Sequence, residues 1–167
     1  MDYVSRGRTG LKVSRLCLGM MTYGLPSWRD WVLPEAEGRR FFRRALEHGI
    51  NFFDTANVYS AGQSEKLLGQ AIRNTGLPRD EIVVATKVFG RVSTLVGEDA
   101  SAAEKAEAER RETEARNISG LSRKHIMDSV EKSLERLQLD YIDLYQVHGT
   151  DPLTPIEETV EALDLLV

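Results

Sequence analysis

Four residues of this 167-residue chain have the types and settings of one acid–base set. Ile50-Asn51-Phe52-Phe53 runs into Asp54, and Ile82-Val83-Val84-Ala85-Thr86 runs into Lys87. Tyr141-Ile142-Asp143-Leu144-Tyr145-Gln146-Val147 runs into His148, and Tyr59 follows Asp54 by five positions. A tyrosine hydroxyl titrates near ~10 and is a poor acid at neutral pH unless its phenolate is stabilised. A neighbouring ammonium does this by favouring the charged form. A carboxylate holds the ammonium in place, and a histidine orients a carbonyl oxygen or shares in proton transfer. Around one carbonyl, Tyr, Lys, Asp and His make a proton-donating site for reduction. Side chains carry no hydride, so a nicotinamide must supply it.

Taken singly, each residue has an ordinary reading. Asp54 suits a turn at a strand end, Lys87 a solvated strand end, Tyr59 packing, and His148 a structural histidine. What would unite them is an architecture that places successive strand ends together. In a barrel of parallel strands, the C-terminal strand ends line the face where chemistry happens.

The hydrophobic pattern supplies such strands. Residues 2–15 read as a β-hairpin, with Tyr3–Arg6 and Lys12–Arg15 flanking a turn at Thr9-Gly10. Leu16-Cys17-Leu18 reads as a short strand stopped by Gly19, and a loop over 20–34 carries Trp28 and Trp31. Helices are expected over 35–48, 64–73 and 122–137, and strands over 50–54, 82–87 and 141–148. Thr154-Pro155-Ile156-Glu157 has the form of a capping box opening a fourth helix, with Ile156, Val160, Leu163 and Val167 as its inner face. Strand and helix alternating four times imply a parallel sheet with right-handed crossovers. A doubly wound sheet and a barrel both fit this pattern, and the polar residues ending successive strands favour the barrel. Residues 98–116 break the rhythm with seven acids, four bases and no large apolar residue. They read as a solvated, partly helical insertion supported by Glu107–Arg111 and Glu112–Arg116 pairs. A partner-binding helix is the lesser reading.

Composition bounds the rest. Hydrophobic residues make up 41% and charged residues 29%, as expected for a globular chain with one core. A net charge of −4 argues against a nucleic-acid surface. No apolar stretch has the length of a membrane span, and the N-terminus has no apolar signal core. The single cysteine, Cys17, fits a reducing compartment, so the expected location is the cytosol. Cys17 itself is expected in the core, His48 as a cation at a helix C-terminus, and His125 on the surface of a first helical turn. No Cys/His cluster has metal-ligand spacing, and no Gly-x-Gly-x-x-Gly follows a strand.

Three segments resemble the aldo-keto reductase superfamily. They are Leu16-Cys17-Leu18-Gly19-Met20-Met21-Thr22-Tyr23-Gly24, Gly49-Ile50-Asn51-Phe52-Phe53-Asp54-Thr55-Ala56-Asn57-Val58-Tyr59, and Gly120–Ile126 through Ser133–Asp143. The third is most similar to the subgroup of fungal aryl-alcohol-type reductases and potassium-channel β subunits. The resemblance implies a (β/α)8 barrel of the TIM type, closed at the bottom by the hairpin. It implies NADPH-dependent reduction of a small-molecule aldehyde or ketone without metal. It places the catalytic roles on Asp54, Tyr59, Lys87 and His148, with Tyr59 as proton donor. Thr22, Tyr23 and Asp54 fall where the family holds the nicotinamide end of NADPH. Trp28 and Trp31 either wall the carbonyl pocket or simply pack the loop. Channel β subunits often lack the histidine, so His148 favours an enzyme. Many relatives carry arginine after it, where this chain has Gly149.

A barrel of this type needs about 250 residues, so the 167 residues are expected to form one truncated domain: a hairpin and four βα units, half a barrel. The resemblance places most of the cofactor's pyrophosphate and adenosine contacts beyond the fourth unit. A half-barrel leaves two unpaired strand edges, which invite self-association. The expectation is therefore the catalytic half of a carbonyl reductase. The alternatives are a regulatory binding subunit or an inactive fragment.

Overall fold

A computed structural model describes residues 1–97 and 99–167. Strands β1 (Tyr3–Ser5) and β2 (Lys12–Ser14) pair antiparallel as the expected hairpin. The left-handed turn residue is Gly7, two positions before the expected Thr9-Gly10 turn. The hairpin is tied to the segment entering the second parallel strand. Ser14 N donates to Asn51 Oδ1 at 2.7 Å, and Tyr3 Oη donates to the Gly49 carbonyl at 2.8 Å.

Four short strands follow: β3 (Cys17–Gly19), β4 (Phe52–Asp54), β5 (Val83–Val88) and β6 (Leu144–Val147). They form one parallel sheet in the order β3-β4-β5-β6. A doubly wound sheet reverses its strand order at a switch point. This sheet never reverses, so it is an arc of a barrel. β3 and β6 are its edges among the described residues.

Helices α1 (Glu35–Glu47), α2 (Gln63–Arg73), α4 (Arg123–Leu137) and α5 (Ile156–Asp164) connect or follow these strands. Strand side chains alternate between faces. Phe53 and Val84 are fully buried in a core with Phe42 and Ala45 of α1, Leu67, Leu68 and Ile72 of α2, and Leu137 of α4. A second core joins Val88 and Tyr145 to Ile126 of α4 and Ala162 of α5. The opposite strand face, carrying Asp54, Lys87 and Gln146, is turned away from the helices.

The contact between α2 and α4 is close enough that a Cβ on Gly69 would overlap the Leu137 carbonyl. Beneath it lies a buried ion pair. Glu65, fully buried, accepts from Arg136 Nε at 2.5 Å and from Thr86 Oγ1 at 2.6 Å. Two carboxylate oxygens thus each have a donor, which a buried charge requires.

Several sequence expectations are corrected here. Thr154 does not cap α5: its hydroxyl donates to Asp151 Oδ2 at 2.7 Å, and Pro155 holds the cap position. A short polar side chain bonded within its own turn competes with helix capping in this way. The inner face of α5 is Thr159, Ala162 and Leu163, joined by Leu166 just past its end, while Ile156, Val160 and Val167 are exposed. The hydroxyl of Thr159 donates to the Leu121 carbonyl at 3.1 Å and so turns that face inward. Cys17 is exposed on edge strand β3 instead of lying in the core, because among the described residues no layer covers the face of β3 away from the helices. His125 is buried against Ser129 one turn along α4, on the side that shares a cavity with Arg111 and Glu112 of the charged segment.

That segment contains a further helix, α3 (Ala102–Glu114), opened by a capping box between Ser101 and Glu104. Its ion pairs differ from those expected. Arg110 binds Glu107 at 2.8 Å and Glu114 at 3.5 Å, while Glu112 accepts from the Thr94 backbone N–H. Arg116 lies beyond the helix end, so it cannot pair along one helical face. Glu98, the first residue of the expected insertion, lies outside the described residues.

Candidate active site

The parallel register brings the site together. Asp54 pairs with Ala85 across β4 and β5, and Lys87 pairs with Gln146 across β5 and β6. Because β5 alternates, Ala85 and Lys87 share a face, and Asp54 and Gln146 join them. Lys87 Nζ donates to Asp54 Oδ2 at 2.6 Å and to the Thr55 carbonyl at 2.7 Å. Gln146 Nε2 donates to Asp54 Oδ1 at 3.3 Å. Asp54 is thereby held at both oxygens.

Tyr59 reaches the same point from the loop after β4. Its Oη lies 3.4 Å from Lys87 Nζ and 3.4 Å from His148 Nε2. Both contacts are long for hydrogen bonds, which leaves room for a further oxygen among the three groups. The ammonium also sits 5.0 Å from the Tyr59 ring centroid, and the His148 ring stands edge-on to that ring at 5.5 Å. His148 is oriented by its backbone, whose N–H donates to Val88 O at 2.8 Å. Partial burial and the Lys87 ammonium hold the His148 pKa below the ordinary histidine value, partly offset by Asp54. The neutral imidazole is therefore favoured at neutral pH.

The backbone just past Tyr59 is unusual. Ser60 and Ala61 both adopt left-handed conformations, with φ of 48° and 53°. For residues with a Cβ this costs energy and persists only where the surroundings impose it. The loop after β3 is one such constraint, since Gly24 packs against the Ser60 side chain with no room for a Cβ. The same loop brings Trp28 to within 6.4 Å of the Tyr59 ring, with Trp31 stacked edgewise on Trp28 at 6.0 Å. Trp28 thus stands beside the acid–base set as one of its walls, and Trp31 supports it.

All four residues of the expected tetrad converge. Thr22 and Tyr23 sit apart from them. Thr22 is exposed, and its carbonyl accepts from Leu33 N–H. The Tyr23 ring is buried against Phe41 and Gly38 of α1. Their segment is nonetheless anchored to the site, because Met20 N–H donates to the Asp54 carbonyl at 2.8 Å. Gln146 was missed in the sequence, although it lies two positions before His148 and strand alternation puts both on one face.

The chain is similar to known proteins. The aldo/keto reductase family model matches residues 15–167. The chain belongs to the aldo/keto reductase family. It is 44% identical to aldo-keto reductase AFTS1 of Alternaria alternata, over 99% of this chain and 46% of that protein. It is 40% identical to versiconal hemiacetal acetate reductase of Aspergillus parasiticus, over 100% of this chain and 48% of that protein. A probable voltage-gated potassium channel subunit beta of Arabidopsis thaliana is 37% identical, over 100% of this chain and 43% of that protein. The solved structure of aldo-keto reductase AKR11C1 from Bacillus halodurans, in its holo form, superposes with a TM-score of 0.74 at 34% identity. It covers 99% of this chain and 46% of that one. The chain spans about half the length of these relatives, so its fold is a partial aldo/keto reductase barrel.

Proposed function

We propose that the chain carries the proton-donating half of an NADPH-dependent carbonyl reductase, with Tyr59 as the acid. The observation that carries this reading is the position of Tyr59 Oη, 3.4 Å from both Lys87 Nζ and His148 Nε2. A carbonyl oxygen within reach of Tyr59 and His148 would receive the Tyr59 proton. Lys87, held by Asp54 and the Thr55 carbonyl, would stabilise the phenolate left behind. His148, neutral, would orient the oxygen. Trp28 would wall the pocket, which suits an aldehyde or ketone with an apolar substituent.

The donor set fits the nicotinamide end of NADPH. Asp54 would lie against that ring, and Met20, whose N–H donates to the Asp54 carbonyl at 2.8 Å, would tether the Thr22–Tyr23 segment near it. Bound there, the cofactor would supply the hydride. Strands and loops beyond the fourth unit would have to hold its phosphates. A cytosolic setting is proposed with this reading.

The likeness to a described potassium channel subunit favours a second reading, a binding subunit without turnover. Titration of the purified chain with NADPH, read by cofactor fluorescence, together with its mass in solution, separates these cases. Saturable binding with turnover of an aldehyde, lost in Tyr59→Phe by about 10²-fold or more, supports the reductase. Binding without turnover supports the binding subunit. Turnover unchanged in Tyr59→Phe would overturn the assignment of the acid.

A further inference from the structure

A polar cavity of about 160 Å³ lies outside the acid–base set, between the loop after β5, helix α3 and one face of α4. It is smaller than the roughly 300–1,000 Å³ of pockets for drug-sized ligands, so it suits a small molecule or ion. Its charge is one-sided. Arg91, Arg111 and Lys132 line it, and among the described residues none of them has a carboxylate within ion-pairing distance. A fourth base on the wall, Arg136, is committed to Glu65. Among the described residues Glu112 is the single acid lining the cavity, and one of its oxygens is occupied by Thr94 N–H.

Two buried atoms in the wall lack partners among the described residues. Arg91 Nε donates to nothing, and Asn57 Oδ1 accepts from nothing although Asn57 is 1% exposed. Buried polar atoms are rarely left unpaired in folded proteins. An oxyanion would satisfy the guanidinium, which favours paired contacts to phosphate-like groups. The unpaired acceptor on Asn57 calls for a ligand that also carries an O–H. Monohydrogen phosphate has both. His125 forms part of the wall as a neutral group, since burial and the nearby Lys132 ammonium lower its pKa.

We propose that this cavity is a binding site for inorganic phosphate, built jointly by α3, α4 and Arg91. The charged segment over residues 98–116 thereby acquires a role, through Arg111. The site is continuous with the loop between Asp54 and Tyr59, because Asn57 N–H donates to the Lys87 carbonyl at 3.2 Å. The inference goes beyond the reductase reading and does not depend on it.

Isothermal titration of the chain with inorganic phosphate at constant ionic strength tests the proposal. Saturable binding below about 10 mM is expected. Arg91→Gln and Lys132→Gln should each weaken it about tenfold, while Arg40→Gln, which removes the same charge from α1, leaves it unchanged. Sulfate, lacking the proton for Asn57, should bind more weakly than phosphate. A small phosphate monoester, mostly a dianion without an O–H at neutral pH, should likewise bind more weakly than inorganic phosphate. Absence of saturable binding, equal affinity in all three variants, or equal affinity for sulfate would overturn the site.

Discussion

Gln146 stands directly across from Lys87 in the pairing of β5 with β6, and its amide donates to the same carboxylate that Lys87 binds. Asp54 is therefore fixed from two strands at once. Gln146→Leu removes one of those contacts and should lower stability by about 0.5–1.5 kcal/mol. Gln146→Glu sets a second carboxylate against Asp54. Its folded-state pKa should then be raised, so the loss is largest at pH 7 and shrinks as the carboxylates protonate near pH 4. Urea denaturation at both values checks this, and an equal loss at both would contradict it.

His148 titrates below 6.5 because partial burial and Lys87 disfavour its cation. The unfolded chain then binds the extra proton first as pH falls. The histidine's contribution to stability is thus present above pH 6.5 and lost on acidification toward its lower folded pKa. Lys87→Met removes the opposing ammonium and leaves Asp54 in place, so the His148 midpoint should rise. NMR titration of the imidazole resonances in both proteins measures the shift. A downward movement would show that Lys87 is not acting on His148.

The buried pair of Glu65 and Arg136 offers a test of what locks α2 to α4. Arg136→Met leaves a fully buried carboxylate with only the Thr86 hydroxyl, which should cost about 3–5 kcal/mol. The double replacement Glu65→Leu, Arg136→Met removes both charges and should lose less than the single one. Guanidinium unfolding of the three proteins gives the comparison. A double variant less stable than Arg136→Met would mean that the pair itself, and not the avoided orphan charge, holds the helices.

Gly69→Ala should destabilise by about 1–3 kcal/mol, because the added methyl meets the rigid Leu137 carbonyl rather than a movable side chain. Gly10→Ala meets nothing within 4 Å and should change stability by no more than about 0.5 kcal/mol. Thermal melts of both variants decide whether α2 and α4 approach as closely as Gly69 implies.

Much of this was legible in local pattern. Each apolar run became a strand or helix within a few residues of its expected bounds, because burial periodicity is a short-range signal. Asp54, Lys87 and His148 were legible as polar ends to such runs, and Tyr59 through its offset from Asp54. The differences come from contacts that local pattern does not encode. Ile156 is exposed because a fourfold or threefold spacing marks an apolar stripe without saying which stripe a neighbour covers, and Thr154 is no cap because Asp151 takes its hydroxyl. Cys17 and His125 were misplaced because exposure depends on layers far away in sequence.

By itself, then, the sequence determined the alternation of strands and helices, the family, and the titratable residues that end the strands. Tertiary structure alone decided that the strands run β3-β4-β5-β6 without reversal, making a barrel arc instead of a doubly wound sheet. It also decided that Gln146 meets Asp54, that Trp28 stands beside Tyr59, and that α3 closes a basic cavity against α4. The physical reason is range. Periodicity is set by backbone geometry over a few residues, whereas register, sheet order and the meeting of distant charges are set by contacts between residues 30 to 90 positions apart, such as Lys87 with Asp54 and Tyr59 with His148.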